Sequence, residues 1–212
     1  MYFSNVSKEW KSCFANKHFR VRFFITIFLL VVVLLSLSNF LQYNETREGF
    51  SFTDPILLYF NPVDVTWITF LFIYLSLIIG IGYLLQHPNQ LMIAIQSYAL
   101  LVVIRICVMY SLPLNPPAGL IPLNDPFVQF FGSGQILEKD LFFSGHTATI
   151  LLLFLVSKNK ILKMVFLLAT MIIAICVLLQ HVHYIIDVLA APFFTYASYR
   201  IITLMNKKFL KN

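Results

Sequence analysis

Charged residues are scarce in this chain: only 11% of its 212 residues are Asp, Glu, Lys or Arg, while 59% are hydrophobic. Soluble domains carry about 25% charged residues, so an ordinary soluble domain is excluded and an integral membrane protein is expected. Cysteine is scarce too. Cys13, Cys107 and Cys176 lie far apart and cannot form the framework of a small disulfide-stapled fold. Cys13, beside a basic juxtamembrane segment, is a candidate for acylation but is read as a plain cytoplasmic thiol. There is no internal repeat and no low-complexity tract. Among the links between apolar runs, one alternating set is almost free of acidic residues.

What fills the chain is long apolar runs. Roughly 20 apolar residues cross a bilayer as a helix, and the runs at 23–41, 65–85, 91–112, 141–156, 161–179 and 184–204 predict six crossings. The expected fold is therefore all-α: one polytopic membrane domain over 1–212 with six transmembrane helices. The run at 141–156 is the short one, and it predicts a helix that starts at the interface with a polar first turn. The first run is too long, at nineteen residues, for the core of a secretory signal and is read as an uncleaved first span.

Orientation follows from Lys and Arg. Lys8, Lys11, Lys17, Arg20 and Arg22 precede or open the first run. Lys158, Lys160 and Lys163 follow the fourth, and Arg200, Lys207, Lys208 and Lys211 end the chain. With six spans these share one side, and Glu9 is the one acid that joins them. Both termini are then cytoplasmic, with 1–22 as a basic cytoplasmic tail. The net charge of +6 suits anionic lipid headgroups, and no nucleic-acid partner is needed. Asn44-Glu45-Thr46, a glycosylation sequon, falls on the opposite side. So do two longer loops, 42–64 and 113–140. The second contains Pro113, Pro116, Pro117, Pro122 and Pro126, which forbid a long regular helix, and a Gly-Ser-Gly at 132–134 that permits sharp turns. Loops of this length are usually lids, binding loops or disordered segments.

Ionisable residues inside spans are rare and mark functional sites. Arg105 lies in the third run, about 10 Å from its outer end at 1.5 Å per residue. His146 opens the fourth run, and His183 and Asp187 open the sixth. All four fall at one depth on one side. His183 and Asp187, four residues apart, share a helix face. The carboxylate can hold one imidazole N–H and leave the other nitrogen nucleophilic. Ser144 suits a helix N-cap, and Gly145 would let a ligand approach the backbone closely. The helix N-terminus behind them is an anion site suited to phosphate. Arg105 would add a bidentate guanidinium. The chemistry implied is phosphoryl transfer through a phosphohistidine, with no metal and no organic cofactor.

The same residues carry a resemblance. Asp140-x-x-x-Ser144-Gly145-His146-Thr147, His181-x-His183-Tyr184-x-x-Asp187-Val188 and the upstream Arg105-x-x-x-Met109-Tyr110 resemble the type 2 phosphatidic acid phosphatase superfamily. They come closest to the branch that contains sphingomyelin synthase. The resemblance covers about 100–200, which is taken as the catalytic core. It implies that His183 attacks phosphorus, that Asp187 orients it, and that His146 protonates the departing alkoxide and then acts as base on the acceptor. The Lys…Arg-Pro motif of the wider superfamily is missing, and its Ser-Arg pair is replaced by Cys176 and Val177, which favours the synthase branch. The expected substrates are a phospholipid donor and a ceramide-like or diacylglycerol acceptor within the membrane, with the site on the extracytoplasmic or lumenal face. Asp140 is a candidate headgroup ligand or supporting residue. Tyr110 and Tyr184 are either interfacial aromatics or walls of a cation–π cage for a choline-type headgroup.

Two other readings use the same residues. A lipid phosphate phosphatase or phospholipase C-type hydrolase differs only in passing the group to water. A metal or ion transporter would use His181-x-His183-x-x-x-Asp187 as ligands, although no polar half-path continues to the cytoplasmic side. His181, two residues from His183, points to another helix face.

Overall fold

A computed structural model describes residues 2–123 and 137–209. Seven α-helices occur among them: α1 (Tyr2–Ala15), α2 (Lys17–Glu45), α3 (Thr66–Leu84), α4 (Pro88–Ser111), α5 (Gly145–Val156), α6 (Lys160–Leu179) and α7 (Ile185–Phe209). Five of these, α2, α3, α4, α6 and α7, are long and apolar enough to cross a membrane, which makes this an integral multi-pass membrane protein. The sixth expected crossing is the shorter apolar helix α5. At 12 residues it is about 18 Å long, against roughly 30 Å of hydrocarbon.

The short helix is the centre of the fold. α5 packs against α3, α4, α6 and α7, and Thr147, Ala148, Ile150, Leu151, Leu152, Leu153 and Val156 are all buried. Gly80 of α3 makes room for it: a Cβ there would stand 2.7 Å from a Leu153 methyl. The main core cluster joins Ile150, Leu152, Leu153 and Val156 of α5 to Phe70 and Ile73 of α3 and to Phe166, Ala169 and Ile173 of α6. α2 is peripheral, packing on α4 and α1.

The helix boundaries follow from local polar chemistry. Asn16 caps α2, its side-chain oxygen accepting from His18 N–H at 2.9 Å and Phe19 N–H at 3.3 Å. Asn159 caps α6 in the same way through Ile161 and Leu162, and Pro88 opens α4 at a position where no backbone N–H is required. Asp64 accepts from Thr66 N–H at the start of α3. That bond and the Thr66 hydroxyl hold its carboxyl below the usual carboxylate range, so the bond weakens only as pH falls through that lowered value.

Two expected boundaries shift. The basic tail 1–22 is helical: α1 occupies Tyr2–Ala15, and Lys17, Arg20 and Arg22 already belong to α2 because Asn16 starts that helix. Trp10 of α1 donates to the Leu85 carbonyl at the end of α3, at 2.7 Å. Its ring packs edge-on against Phe23, with centroids 5.8 Å apart. Partial burial and the neighbouring Glu9 raise the pKa of the Cys13 thiol on this helix, which disfavours the reactive thiolate. The fourth run also begins later than 141. Leu141 and Phe143 are buried but precede the helix, because the carbonyls of Asp140 and Phe143 are taken by Arg105. The proline-rich loop is described through residue 123, and the Gly-Ser-Gly at 132–134, like Pro126, lies outside the described residues.

Candidate active site

The end of the bundle that holds the histidines is built by two loops clamped onto the joint between α6 and α7. Phe50 and Leu114 form a short parallel bridge between the loops, with Phe50 N–H donating to the Pro113 carbonyl and Asn115 N–H to that of Phe50, both at 2.9 Å. Gly49 is needed at this crossing, since a Cβ would lie 2.5 Å from the Leu114 carbonyl carbon. The loops reach the joint through Val63 N–H to the Leu179 carbonyl and Ile121 N–H to the Gln180 carbonyl.

At that joint the chain turns in a Schellman motif. Val182 N–H bonds to the Val177 carbonyl and His181 N–H to that of Leu178. His181 takes the left-handed position, φ 55°, where glycine is usual. Its Nδ1 lies 2.8 Å from the Ala118 carbonyl, and its ring stands edge-on to Phe60. His181 thus fastens the loop to the joint, and the partner of its Nδ1 is a loop carbonyl, not Asp187. The three residues do not form one ligand set, and among the described residues no three His, Cys, Asp or Glu side chains group as metal ligands.

His183 and Asp187 are both buried. His183 Nδ1 lies 3.3 Å from Asp187 Oδ2, and the same oxygen accepts Tyr184 N–H at 3.0 Å. Asp187 sits in the first turn of α7, where the helix dipole favours a negative charge. Facing the carboxylate, Nδ1 carries the proton, which leaves the lone pair on Nε2. The Asp187 carbonyl accepts Ser144 N–H at 3.2 Å. That bond ties the start of α5 to the start of α7, so the segment carrying His146 stands beside the one carrying His183. His146 is half-buried in the first turn of α5.

Arg105 is more engaged than its sequence position suggests. Its Nε donates to the Phe143 carbonyl at 2.9 Å and its Nη2 to the Asp140 carbonyl at 3.3 Å. Nη2 also forms an ion pair with Asp140 Oδ1 at 2.8 Å. The fork expected to grip an anion is used on the chain just before α5. The close approach expected of a ligand at Gly145 is made by Arg105 itself: a Cβ there would lie 2.6 Å from Nη1. Ser144 holds the N-cap position, yet its hydroxyl pairs with that of Thr147 at 3.0 Å instead of capping the backbone. The guanidinium therefore rests against the N-terminal turn of α5 and adds positive charge to an end that already favours anions.

The two tyrosines are placed differently from a headgroup cage. Tyr184 is buried, stacked on Phe52 with centroids 4.0 Å apart, and donates its hydroxyl to the Asn115 carbonyl at 3.0 Å. The Tyr110 ring is exposed, but the Arg47 guanidinium lies 5.0 Å from its centroid, so an internal cation takes that face.

One residue of this end is not marked in the sequence. Asp54 is buried; its Oδ1 accepts Ile56 N–H at 2.9 Å and its Oδ2 accepts Ile185 N–H at 2.7 Å. It caps α7 from a distant loop, next to Asp187. The only local signal is the Asp54-Pro55 pair, which reads as a turn.

Residues 139–204 match the family model described as PAP2 superfamily C-terminal. That match supports membership of the PAP2 superfamily. The matched segment runs from beside Asp140 to near the end of α7, and so contains His146, His183 and Asp187. Superfamily members are phosphatases and phosphotransferases acting on lipids. No curated protein and no solved structure matches the chain.

Proposed function

We propose that this protein is a membrane-embedded lipid phosphotransferase of the sphingomyelin synthase type, which moves a phospho-headgroup from a phospholipid to a lipid alcohol through a phosphohistidine. The observation that carries this reading is the bond from Ser144 N–H to the Asp187 carbonyl, 3.2 Å long. It joins the segment bearing His146 to an imidazole oriented by a buried carboxylate, within a superfamily match over 139–204.

In the first step the Nε2 lone pair of His183 attacks phosphorus and a P–N bond forms. The P–O bond to diacylglycerol breaks, and His146 gives its proton to the departing alkoxide. Asp187 holds the Nδ1 proton and stabilises the imidazolium. In the second step His146 takes the proton of the acceptor hydroxyl, whose oxygen attacks phosphorus while the P–N bond breaks. Arg105, braced by Asp140, and the α5 N-terminus lower the cost of negative charge on the phosphoryl oxygens. The substrates are a phospholipid donor and a ceramide-like or diacylglycerol acceptor, delivered from the lipid phase on the extracytoplasmic or lumenal side.

The test uses purified protein in detergent with headgroup-labelled phospholipid, with and without ceramide or diacylglycerol. Label in a new lipid is expected, and His183→Ala should abolish it along with release of the donor's diacylglycerol. Label released to water whether or not acceptor is present would replace transfer by hydrolysis. Full turnover in His183→Ala would refute the phosphohistidine itself.

A further inference from the structure

The end of the bundle opposite His146 and His183 holds a cavity that the transfer chemistry does not use. It lies between α2, α4 and α7, measures about 360 Å³, and is lined by Arg22, Thr26, Leu29, Gln96, Val103 and Asn206 among others. Ligand pockets run from about 300 to 1,000 Å³. Asn206 is nineteen positions beyond Asp187 on α7, about 28 Å along the helix axis, so this is a separate place in the molecule.

The lining runs from polar to apolar. On α2, Arg22, Thr26, Leu29 and Val33 share one face at spacings of four, three and four. Along that stripe the groove extends for about 16 Å, and its deep end is aliphatic. The shallow end carries a chain of hydrogen bonds across three helices. Arg22 donates to Asn206, Asn206 to Gln96 Oε1 at 2.9 Å, and Gln96 to Thr26 Oγ1 at 2.9 Å. Such a chain could serve simply to fasten α2 to the bundle. Fastening alone would close the gap, yet the cavity persists beside it, and its walls Ile25, Leu29, Val103 and Met205 remain 40–52% exposed. In a membrane this groove is open to hydrocarbon along its side.

The charge selects the occupant. Arg22 is the charged residue in the lining; Lys17, Arg20 and Lys207 belong to the same end of the bundle and are exposed, and Glu9 is the one acid in the sequence that falls at this end. Basic pockets between helices on the cytoplasmic side take anionic lipid headgroups. We infer that the groove between α2, α4 and α7 is a binding site for one anionic phospholipid of the adjoining leaflet. Its headgroup sits at Arg22 and one acyl chain lies along Leu29, Val33 and Val103. The site is independent of the transfer reaction.

The experiment is native mass spectrometry of the full chain, delipidated in detergent and then mixed with equal amounts of dioleoyl phosphatidylglycerol and dioleoyl phosphatidylcholine. One phosphatidylglycerol should be retained in preference. Arg22→Gln should reduce that preference by about fivefold, the effect of one basic residue near an anionic surface. Val103→Trp, which fills the groove, should lower retention of both lipids. Arg22→Gln should leave headgroup transfer at the wild-type rate while its lipid preference falls, which separates this site from the catalytic one. Equal retention of the two lipids by the wild type would overturn the inference. So would an unchanged preference in Arg22→Gln protein that melts at the wild-type temperature.

Discussion

A methyl group at position 145 would stand 2.6 Å from Arg105 Nη1 and 2.8 Å from its guanidinium carbon. A surface arginine would swing away at little cost. Arg105 cannot, because its side chain is buried and tied to Phe143 and Asp140 by two hydrogen bonds and an ion pair. Gly145→Ala should therefore push the guanidinium off those partners and shift the first turn of α5, which carries His146. Misplacement on the order of 1 Å can cost about a hundredfold in rate, so headgroup transfer should fall by about that factor, with a lower melting temperature. Gly82→Ala is the control, since a Cβ there meets nothing within 4 Å and alanine gains up to about 1 kcal/mol of helix propensity. Transfer assays and thermal melts of the two variants read the difference. Equal behaviour would mean that the contact at Gly145 is not what positions the site. Several side chains here do something other than their residue type suggested. Arg105 appeared in the sequence as a free anion fork, but its pairing with Asp140 depends on a contact 35 positions away. The roles of Tyr184 and His181 were hidden in the same way, because each faces a partner in a remote loop.

The helices themselves were legible, because apolar runs of span length leave the chain few alternatives. What escaped was where the fourth run's helix begins and what fixes the start of the sixth. The apolar residues Leu141 and Phe143 look like part of a span, but their neighbouring carbonyls are used by Arg105 and the helix waits until Gly145. α7 starts at Ile185 because Asp54, 131 positions earlier, accepts its N–H. That dependence makes a prediction about the element. Asp54 uses one oxygen on Ile56 and the other on Ile185, and an asparagine has only one oxygen to offer. Asp54→Asn should leave one N–H facing an amide N–H₂, and an unsatisfied buried donor costs about 1–3 kcal/mol. Because the first turn of α7 carries Asp187, transfer should fall together with the melting temperature. Wild-type activity and melting in Asp54→Asn would show that α7 does not need this cap.

At the scale of the whole molecule, charge sorts the two ends. Lys17, Arg20 and Arg22 open α2, Lys158, Lys160 and Lys163 surround the start of α6, and Arg200 and Lys207 lie late in α7. Glu45, Glu48, Asp54, Asp64, Asp140 and Asp187 gather with His146, His181 and His183 at the other. A helix bundle could be inserted either way up on hydrophobicity alone; the excess of Lys and Arg in short links predicts the direction, because such links tend to stay cytoplasmic. This sorting has a meaning only if α5 completes a crossing, so that α4 and α6 run in the same direction through the membrane. A helix of 12 residues falls short of the hydrocarbon thickness by about 12 Å. The segment from Leu141 to Ser144, buried except at the half-buried Phe142 and held by Arg105, extends it at the end that carries His146. The expected outcome is six crossings with the histidines outside. A protein with Cys13, Cys107 and Cys176 changed to serine should report this when single cysteines are placed at Glu48 and Lys158, both exposed. In intact cells a membrane-impermeant maleimide should label position 48 at once and position 158 only after the membrane is opened. Labelling of both from outside would mean that α5 does not cross, that α6 and α7 are inverted relative to α2–α4, and that the histidines do not face the compartment assigned to them.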